Sequence, residues 1–417
     1  MTVTRLDVKD ASAHILSGVR ALDGEDTTLD VALGRILARD VSSPVSLPPH
    51  DNASMDGFAA HADDVRGASA ERPVRLTVVG TIAAGAPHTL AVGRGEAVRI
   101  MTGAFVPAGV DSVIRVEDTD AGEHDVSVFD DRDAARNIRP RGEDVRAGDI
   151  VMRAGTPIGA AHIGVLASVG CARPLVHRKP RVAILATGDE IVPIERFDDV
   201  LAGRRIVSSN SYSLAAAVRA AGGEPVSLGI APDDPAALAE ALRVANGCDV
   251  VLTSGGVSVG DFDYTRDVVT ALGGELSLWR VRMRPGAPLA FGRLFGVPWL
   301  GLPGNPVSAL VTFELFGRPL VRVLAGHARP HRRTIAVTLG NDIHLGAPLT
   351  HFLRAVLEDS GGPQPVARLT GAQSSGMLTS MSAADVLLIV TESVTAGATV
   401  RAIPLDGDLG GSARFLE

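Results

Sequence analysis

The sequence predicts a multidomain α/β plus β protein, in which a central α/β domain has a mainly parallel sheet flanked by helices. Three observations support this fold class. The chain has 417 residues, which is too long for one ordinary core and suits about three domains. Strands and helices alternate in residues 179–328, as is typical of a parallel sheet covered on both faces. Short β-type runs separated by Gly and Pro turns occur on both sides of that stretch.

The N-terminal part predicts two modules. Residues 1–45 contain the helical patterns "DASAHILSGVRAL" and "TLDVALGRILARDV", whose apolar positions recur every three to four residues. After a proline-rich break, residues 46–136 contain the β-type runs "VRLTVVG", "EAVRIMTG" and "DSVIRVED" and predict a β-rich second domain. Residues 137–178 are mixed again, with two short strands in "AGDIVMRAGTPIG" and a helix in "AAHIGVLASVG". We expect them to join residues 1–45 in a discontinuous mixed linker domain.

The alternating stretch, residues 179–328, forms the predicted α/β domain. Its first strands are "RVAILATG", "PVSLGI" and "DVVLTSGG", and the helices between and after them are "SYSLAAAVRAAG", "PAALAEALRVANG" and "DYTRDVVTALGG". Further strands are expected near "LSLWRV" and "VPWLGLPG", before the helix "NPVSALVTFELFGRPLVRVL". In the second helix, Leu238, Ala241, Leu242 and Ala245 mark one buried stripe. Residues 329–417 predict a separate C-terminal β domain.

Composition argues against several classes of partner. With 40 Lys+Arg against 48 Asp+Glu, the net charge is -8, and no dense basic block indicates nucleic acid. Every apolar stretch ends long before the roughly 18 residues of a membrane span. The N-terminus has no apolar signal-peptide core, and Cys171 and Cys248 show neither disulfide nor metal spacing. We therefore expect a cytoplasmic protein.

The residues that follow the strands carry the chemistry, because ligands of open α/β sheets bind beyond the carboxyl ends of strands. Three strand ends supply Thr187, Gly188, Asp189 and Glu190; Asp233 and Asp234; and Ser254, Gly255, Gly256 and Ser258. Later ends supply "RPGAP" and "LPGNP". Glycines allow close backbone approach, and a helix N-terminus favours an anion, so the pattern predicts a phosphate site.

The stretch "TSGGVSVGDFDYTRD" adds a cation to this prediction. Gly255 and Gly260 have the spacing of a phosphate loop, but Asp261 and Phe262 stand where Lys and Ser/Thr are expected. An aspartate would repel a phosphate unless a cation lay between them. Mg²⁺ takes carboxylate ligands and keeps waters that reach phosphate oxygens. Asp261 or Asp263 is therefore expected to face a metal–phosphate ligand.

Other polar residues have ordinary explanations. Asp234 and Asn305 each precede a proline, which favours helix capping for both, and Asp263 could also cap its helix. Glu190 and Asp233 have no such local role, which favours function. The loops "HDNASMDGFA" and "RPRGEDVRAGD" fit a polar turn and a solvated charged loop as well as a site.

Seven motifs together resemble the molybdopterin molybdenumtransferase family, the bacterial counterpart of the C-terminal domain of gephyrin. They are "DNASMDGFA", "GEAVRIMTGAFVPAGVDSVIRVED", "NIRPRGEDVRAGD", "ATGDEI", "SNSYSL", "TSGGVSVGDFDYTRD" and "LPGNPVSAL", in order between about residues 5 and 400. The resemblance implies an Mg²⁺-dependent enzyme that inserts molybdate into adenylated molybdopterin and releases AMP. It also implies an elongated homodimer of four-domain subunits, with molybdopterin adenylyltransferase and cofactor-accepting enzymes as possible partners.

The resemblance also implies site residues. The catalytic acidic residues would be Asp56, Asp144, Glu190, Asp233 and Asp263, of which Glu190, Asp233 and Asp263 would hold the metal as a group. Residues expected to bind the pterin and the oxyanion are Thr102, Thr187, Ser254, Gly255, Gly256, Ser258, Gly260, Arg280, Arg284, Pro303 and Pro306. Arg280 and Arg284 are the local candidates for molybdate. Asp56 and Thr102 would face the α/β domain of the other subunit, so the site would be intermolecular.

The chain departs from the family at one loop. It has "RPGAP" where "KPGKP" is common, so Ala287 replaces a lysine, and Arg280 replaces another. This keeps three alternatives open: a catalytically weak paralogue, a dimeric scaffold, or an enzyme that prefers tungstate. An adenylyltransferase of the same fold is disfavoured by the long terminal modules, and a dinucleotide oxidoreductase by the lack of G-x-G-x-x-G after any strand.

Overall fold

The computed structural model describes residues 5–85, 90–256, 264–358 and 364–405. Two compact units are present. The first comprises Met1–Asp26, Gly34–Ala38 and Leu175–Glu417, and the second comprises Thr27–Leu33 and Arg39–Pro174. No helix in these described ranges is both long and apolar enough to span a membrane.

The strands of the described residues are numbered here in chain order. They are β1 Arg5–Leu6, β2 Gly24–Asp26, β3 Val41–Ser42, β4 Asn52–Ala53, β5 Gly57–Ala60, β6 Val74–Ile82, β7 Glu96–Ile100, β8 Ser112–Arg115, β9 Asp125–Val128, β10 Ile138–Arg139, β11 Ile150–Met152, β12 Leu175–His177, β13 Arg181–Thr187, β14 Ile191–Val192, β15 Ile206–Val207, β16 Glu224–Ala231, β17 Val250–Ser254, β18 Glu275–Val281, β19 Met283–Arg284, β20 Pro288–Leu294, β21 Val297–Leu302, β22 Ile335–Leu339, β23 Thr350–Glu358, β24 Val366–Leu369, β25 Val386–Val390 and β26 Thr399–Pro404.

The α-helices are numbered in the same way. They are α1 Val8–Leu16, α2 Leu29–Ala32, α3 Ala62–Val65, α4 Ala160–Ser168, α5 Phe197–Leu201, α6 Ser209–Ala220, α7 Pro235–Arg243, α8 Thr265–Ala271, α9 Pro306–Thr312, α10 Arg318–Leu324 and α11 Leu378–Ser382. A π-helical turn, Phe313–Gly317, joins α9 to α10. The long helix predicted from "NPVSALVTFELFGRPLVRVL" is therefore confirmed, with one widened turn in its middle.

The main sheet of the first unit has seven strands in the order β1-β18-β20-β21-β17-β13-β16. β16, β13, β17 and β21 run parallel to one another, while β20 is antiparallel to both of its neighbours. Helices cover both faces, because Val182 and Ile184 of β13 pack with residues of α6, α9 and α10, whereas Ala183 and Leu185 pack with residues of α7 and α8. The predicted fold class is confirmed, although β20 was not anticipated.

The C-terminal part of the first unit forms a closed barrel. Its strands follow the order β19-β23-β24-β22-β26-β25, and β23 also pairs with β25, which closes the sheet. Closure leaves no open edge between β23 and β25. Val337, Leu353, Leu388 and Ala402 are among the residues that fill the barrel core. The predicted C-terminal β domain thus takes the form of a barrel.

The second unit contains a five-stranded sheet in the order β8-β5-β7-β6-β9. The predicted runs "VRLTVVG", "EAVRIMTG" and "DSVIRVED" correspond to β6, β7 and β8. Phe58 and Ala60 of β5 pack in one apolar cluster and Ala59 in another, so the sheet is buried on both faces at this strand. The helix predicted from "AAHIGVLASVG" is α4, and Gly170 follows it with a φ of 76°.

Two predictions from the N-terminal half are wrong. The pattern "TLDVALGRILARDV" is helical only over Leu29–Ala32, because Gly34 turns the chain with a φ of 77° and Leu37 then forms an antiparallel bridge with Val176. The apolar spacing there reflects burial of Ile36 and Leu37 in a non-helical segment. In "AGDIVMRAGTPIG" the described structure has one strand, β11, rather than two.

Position 57 has no room for a side chain, which the sequence did not indicate. It lies in β5 between β7 and β8, and a Cβ atom there would overlap the backbone carbonyl oxygen of Ile114. We expect Gly57→Ala to lower the free energy of unfolding by about 1–3 kcal/mol, since a central strand must shift. Urea denaturation of the purified protein would measure this change.

Gly164 of α4 provides the matched control in the same unit. Its surroundings contain no atom within 4 Å of an added Cβ, so Gly164→Ala should raise the free energy of unfolding by about 0.5–1 kcal/mol. Equal stability of wild type and Gly57→Ala would contradict the steric argument.

Candidate active site

A cavity of about 520 Å³ lies at the carboxyl ends of the parallel strands and is called here the glycine-lined cavity. It lies where sheet topology predicted a ligand site. Its lining residues come from the ends of β13 and β17 and the turns after β13, β16, β17 and β21, from β14, β15 and the start of β20, and from the first turns of α6 and α9. They are Ala186, Thr187, Gly188, Glu190, Ile191, Ile206, Val207, Ser208, Ser209, Asn210, Asp233, Ser254, Gly255, Gly256, Pro288, Pro303, Gly304, Asn305 and Pro306. Ten of the predicted site residues between Thr187 and Pro306 lie in the described ranges, and nine of them line this cavity or the neighbouring one described below.

The glycine turn after β17 is shaped by close packing. Gly255 has a φ of 96°, and a Cβ there would lie 2.6 Å from the Thr187 carbonyl oxygen. Gly256 has a φ of 62°, and a Cβ there would overlap the Thr265 hydroxyl. The Gly255 N–H donates to the Leu302 carbonyl at 3.1 Å, so it is not available to a ligand. Gly255 is therefore required mainly because the turn lies against Thr187, rather than because its N–H binds phosphate.

Two carboxylates of the cavity are held by the turns after β13 and β16. The Asp189 N–H donates to Asp233 Oδ2 at 3.4 Å, and the Asp233 N–H donates to Asp189 Oδ1 at 3.2 Å. This reciprocal pair ties the two turns together. Gly188 explains the position of Glu190, because a Cβ at residue 188 would lie 2.5 Å from Glu190 Oε2. The Glu190 carboxylate thus folds back over the glycine, exposed at the cavity.

Only two of the three predicted metal ligands, Glu190 and Asp233, lie in the described residues. Glu190 and Asp233 line the same cavity, and two carboxylates are enough for Mg²⁺ when waters and substrate phosphates complete its shell. Among the described residues, no group of three or more His, Cys, Asp or Glu side chains is arranged to hold a metal ion. Ser258, Gly260, Asp261 and Asp263 lie outside the described residues. The donor set that is described fits Mg²⁺, and the metal site remains a prediction.

The two capping predictions have different outcomes. Asp234 caps α7, because its Oδ1 accepts a hydrogen bond from the Ala237 N–H at 2.8 Å. Asn305 occupies the N-cap position of α9, but its side chain makes no capping hydrogen bond, so that prediction is wrong. Asn305 is exposed and lines the glycine-lined cavity instead.

A second cavity, of about 810 Å³, adjoins the first and is called here the arginine-lined cavity. Pro288, Pro303 and Asn305 line both cavities. The basic side chains of the second cavity are Arg284, His344, His351 and Arg354, and Asp342 is its one acidic lining residue in the described part of the chain. Asp342 Oδ1 accepts from the Ala396 N–H at 2.7 Å. The arginine-lined cavity therefore suits an anion.

Arg354 was missed by sequence reasoning. It lies within β23, and its side chain is fully buried. Its guanidinium donates to the carbonyls of Ala372, Gln373 and Ser374 and to Ser380 Oγ, and none of its partners in the described structure is a carboxylate. Burial lowers the pKa of Arg354 from its ordinary value. The sequence did contain a sign of this buried arginine, because Arg354 stands alone inside the apolar run "HFLRAVLE".

The two predicted basic residues, Arg284 and Arg280, have different positions. Arg284 is exposed in β19 and lines the arginine-lined cavity. Arg280 lies in β18, half-buried and opposite Pro288, and lines neither of the two cavities. Arg284 is therefore the better placed of the two predicted oxyanion ligands.

The second unit holds the remaining predicted site residues. Thr102 donates to Asp56 Oδ1 twice, from its N–H at 2.7 Å and from its hydroxyl at 2.8 Å. These two donors, the backbone one first, lower the pKa of Asp56, so its exposed carboxylate stays ionised. Asp144 is exposed, and its N–H donates to the Leu47 carbonyl at 3.1 Å.

The loops containing Asp56 and Asp144 are neighbours. The Arg141 N–H donates to Asp51 Oδ1 at 2.7 Å, and β4 pairs with β10 through Asn52 and Arg139. The motifs "HDNASMDGFA" and "RPRGEDVRAGD", whose roles the sequence left open, are therefore brought together on the second unit.

Three protein-family models match consecutive parts of the chain. Residues 6–170 match the family described as "MoeA N-terminal region (domain I and II)", residues 183–323 match the "Probable molybdopterin binding domain", and residues 336–405 match the "MoeA C-terminal region (domain IV)". Together with the fold and the cavities, these matches define a multidomain protein built around a domain of the molybdopterin-binding type.

Relatives are similar over nearly the whole chain. A molybdopterin molybdenumtransferase of Nostoc sp. is 37% identical over 393 residues, covering 92% of this chain and 89% of the relative. One of Haemophilus influenzae is 33% identical over 395 residues, covering 93% and 95%. The chain belongs to the molybdopterin molybdenumtransferase family.

Solved structures of similar proteins have the same fold over nearly the whole chain. A molybdopterin biosynthesis moeA protein from Pyrococcus horikoshii is similar with a TM-score of 0.82 and 28% identity, covering 96% of this chain and 100% of that one. A second structure of the same kind has a TM-score of 0.80 and 31% identity, covering 97% and 100%.

The double hydrogen bond at Asp56 can be tested by titration. We expect Thr102→Val to raise the pKa of Asp56, because one donor is lost, yet to leave it below its ordinary value, because the backbone donor remains. NMR titration of the side-chain carboxyl would report both changes. Asp120, whose pKa is lowered by Ser127 and Gly122, is the control and should not move. An unchanged Asp56 would show that the hydroxyl has no influence.

Proposed function

We propose that this protein inserts molybdate into adenylated molybdopterin and releases AMP, giving molybdenum cofactor. The observation that carries the proposal is the shared wall of Pro288, Pro303 and Asn305 between the two cavities. The first cavity offers carboxylates and strand-end turns to a phosphate–metal ligand, and the second offers basic side chains to an oxyanion. A substrate bound in each cavity would therefore lie next to the other at this shared wall.

The proposed reaction explains the charges around the cavities. Adenylated molybdopterin contains a phosphoanhydride, and cleavage of its bond to AMP requires neutralised phosphate oxygens and an aligned oxygen nucleophile. Arg284, which lines the second cavity, would hold molybdate beside that bond, because a guanidinium donates to oxyanions in a fixed planar geometry. Arg354 contributes by holding the carbonyls of residues 372–374, which support the cavity wall.

Mg²⁺ would be held by Glu190 and Asp233, with Asp263 as a third ligand. When bound, it would neutralise the pyrophosphate oxygens of the substrate. The Asp189 N–H, which donates to Asp233 Oδ2, would orient the Asp233 carboxylate toward the metal. The substrate would come from a molybdopterin adenylyltransferase, and the product would pass to cofactor-accepting enzymes.

The central test is an assay with purified protein, adenylated molybdopterin, Mg²⁺ and molybdate, in which AMP release and cofactor formation are measured. We expect Glu190→Gln to reduce the rate by roughly 10- to 100-fold at limiting Mg²⁺, and less as Mg²⁺ rises. Glu195→Gln is the control, because Glu195 is an exposed residue of the same type that does not line the cavity. Wild-type protein that is folded but releases no AMP would overturn the proposal.

We also propose that the active form is a homodimer in which Asp56 acts on substrate bound to the partner. Asp56 belongs to the second unit and presents an ionised, exposed carboxylate. At limiting Mg²⁺, where both variants are expected to be impaired, a mixture of Asp56→Asn and Glu190→Gln proteins should then be more active after subunit exchange than either variant alone. Verified mixed dimers without recovery would place both residues in the site of one subunit.

Ala287 allows a separate test of the oxyanion site. It lines the arginine-lined cavity between Gly286 and Pro288. We expect Ala287→Lys to lower the molybdate concentration for half-maximal insertion by about three- to tenfold, because an added cation contributes on the order of 1 kcal/mol. The gain should shrink as salt rises.

Ala287→Gln is the matched control, since it adds length without charge. Equal effects of Lys and Gln would show that charge at this position does not matter. A gain for tungstate alone would indicate that the natural enzyme prefers a different oxyanion.

A further inference from the structure

The first turn of α6 carries an asparagine that connects two parts of the glycine-lined cavity. Asn210 is 8% exposed, and its Nδ2 donates to Ser254 Oγ at 2.8 Å and to the Gly304 carbonyl at 2.8 Å. Because the Gly304 carbonyl can only accept, the amide nitrogen must face it. Both N–H groups of this side chain are therefore used within the protein, one at the end of β17 and one on the turn after β21.

The two turns that Asn210 connects also contact each other directly. The Gly255 N–H donates to the Leu302 carbonyl at 3.1 Å. Ser254 Oγ, which accepts from Asn210, donates in turn to the Pro303 carbonyl at 3.5 Å. The amide of Asn210 thus adds a side-chain link to a contact that the two turns already make through their backbones.

The turn after β21 forms part of the wall between the two cavities. Gly304 stands between Pro303 and Asn305, which line both the glycine-lined and the arginine-lined cavity. The Asn305 side chain makes no capping hydrogen bond that would fix this turn to α9. The position of the wall therefore depends on contacts of the turn's backbone, which include the bond from Asn210 to the Gly304 carbonyl.

The helix that carries Asn210 is fixed by the apolar core. Leu214 and Val218 of α6 are fully buried, and they pack in the same cluster as Val307 and Val311 of α9. Side chains in a close-packed core have little freedom to shift. Asn210 therefore holds the two turns from a firm base that belongs to neither of them.

We propose that Asn210 is a positioning residue for the insertion reaction. Its amide holds the turn after β21 against the end of β17, and this keeps the wall between the two cavities where the two substrates are aligned. The proposal rests on the proposed function, in which the phosphoanhydride and the oxyanion lie beside that wall. Displacing reacting groups by about 1 Å can reduce a rate by roughly 100-fold, so the placement of the wall matters for turnover.

The first measurement is amide hydrogen exchange of the full-length protein without ligand, followed at residue resolution by mass spectrometry. The Gly255 N–H reports on the contact between the two turns, because it bonds to the Leu302 carbonyl. We expect this N–H to exchange about three- to tenfold faster in Asn210→Ala, which is the effect of one lost hydrogen bond. Asn210→Asp keeps the shape of the side chain but, when ionised, has no donor for the Gly304 carbonyl, so it should act in the same direction.

The second measurement is steady-state insertion of molybdate at saturating Mg²⁺. We expect Asn210→Ala to lower the turnover number by roughly 10- to 100-fold, because the two substrates are no longer aligned. The half-saturating concentrations of molybdate and of adenylated molybdopterin should stay nearly unchanged, because the residues proposed to bind each substrate are still present. A direct binding role for Asn210 would instead raise one of these concentrations.

Thr253→Val is the matched control for a lost buried hydrogen bond. Thr253 is fully buried in β17 and accepts a hydrogen bond from Trp299 Nε1 at 3.2 Å, but it does not line the cavity. This variant should lower the thermal unfolding midpoint, as Asn210→Ala should, and leave both the exchange of the Gly255 N–H and the turnover number unchanged. The comparison separates positioning from a general loss of stability.

Faster exchange at Gly255 together with a fall in the turnover number alone would support the proposal. Unchanged exchange in both Asn210 variants would overturn it, as would an unchanged turnover number in a folded variant. A rise in one half-saturating concentration that accounts for the whole loss would also overturn it. Wild-type protein that releases no AMP would reject the proposed function instead, and the exchange measurement would still decide whether Asn210 holds the two turns together.

Discussion

Burial of the central strands on both faces is the constraint on which the rest of this structure depends. Successive residues of β13 and β17 alternate between two apolar clusters, so neither face of these strands offers room for a solvated polar group. Thr253, a polar exception, is satisfied by Trp299. Chemistry is therefore confined to the carboxyl ends, where the chain leaves the sheet and the side chains can reach a ligand.

The turns at those ends are ordered by contacts with one another. Asp189 and Asp233 bond reciprocally across two turns, and Asn210 links two more through Ser254 and the Gly304 carbonyl. These links connect the described turns of the cavity to one another in the absence of a ligand. Preorganisation of this kind reduces the entropy lost on binding and would favour the proposed alignment of two anionic substrates.

The barrel contributes to the site from its own core. Arg354 occupies a buried position in β23, where its guanidinium gathers three carbonyls of residues 372–374. A buried cation without a carboxylate partner in the described structure is costly unless its donors are satisfied, and here carbonyl and hydroxyl oxygens satisfy them. In the second unit, neutral groups likewise hold a charged one, because the Thr102 N–H and hydroxyl both donate to the Asp56 carboxylate.

The sequence by itself determined the alternation of strands and helices, the cap at Asp234 and the cluster of polar residues at the strand ends, because these depend on local period and on neighbours within a few residues. The motif order also identified the family. Only the tertiary structure decided that Gly34 and the bridge at Leu37 end a predicted helix, that Asn305 does not cap, and that two cavities share a wall. The partners of Asn210 lie 44 and 94 residues away along the chain, and those of Arg354 lie 18 to 26 residues away. Contacts of that range are set by how the elements pack, and local pattern carries no record of them.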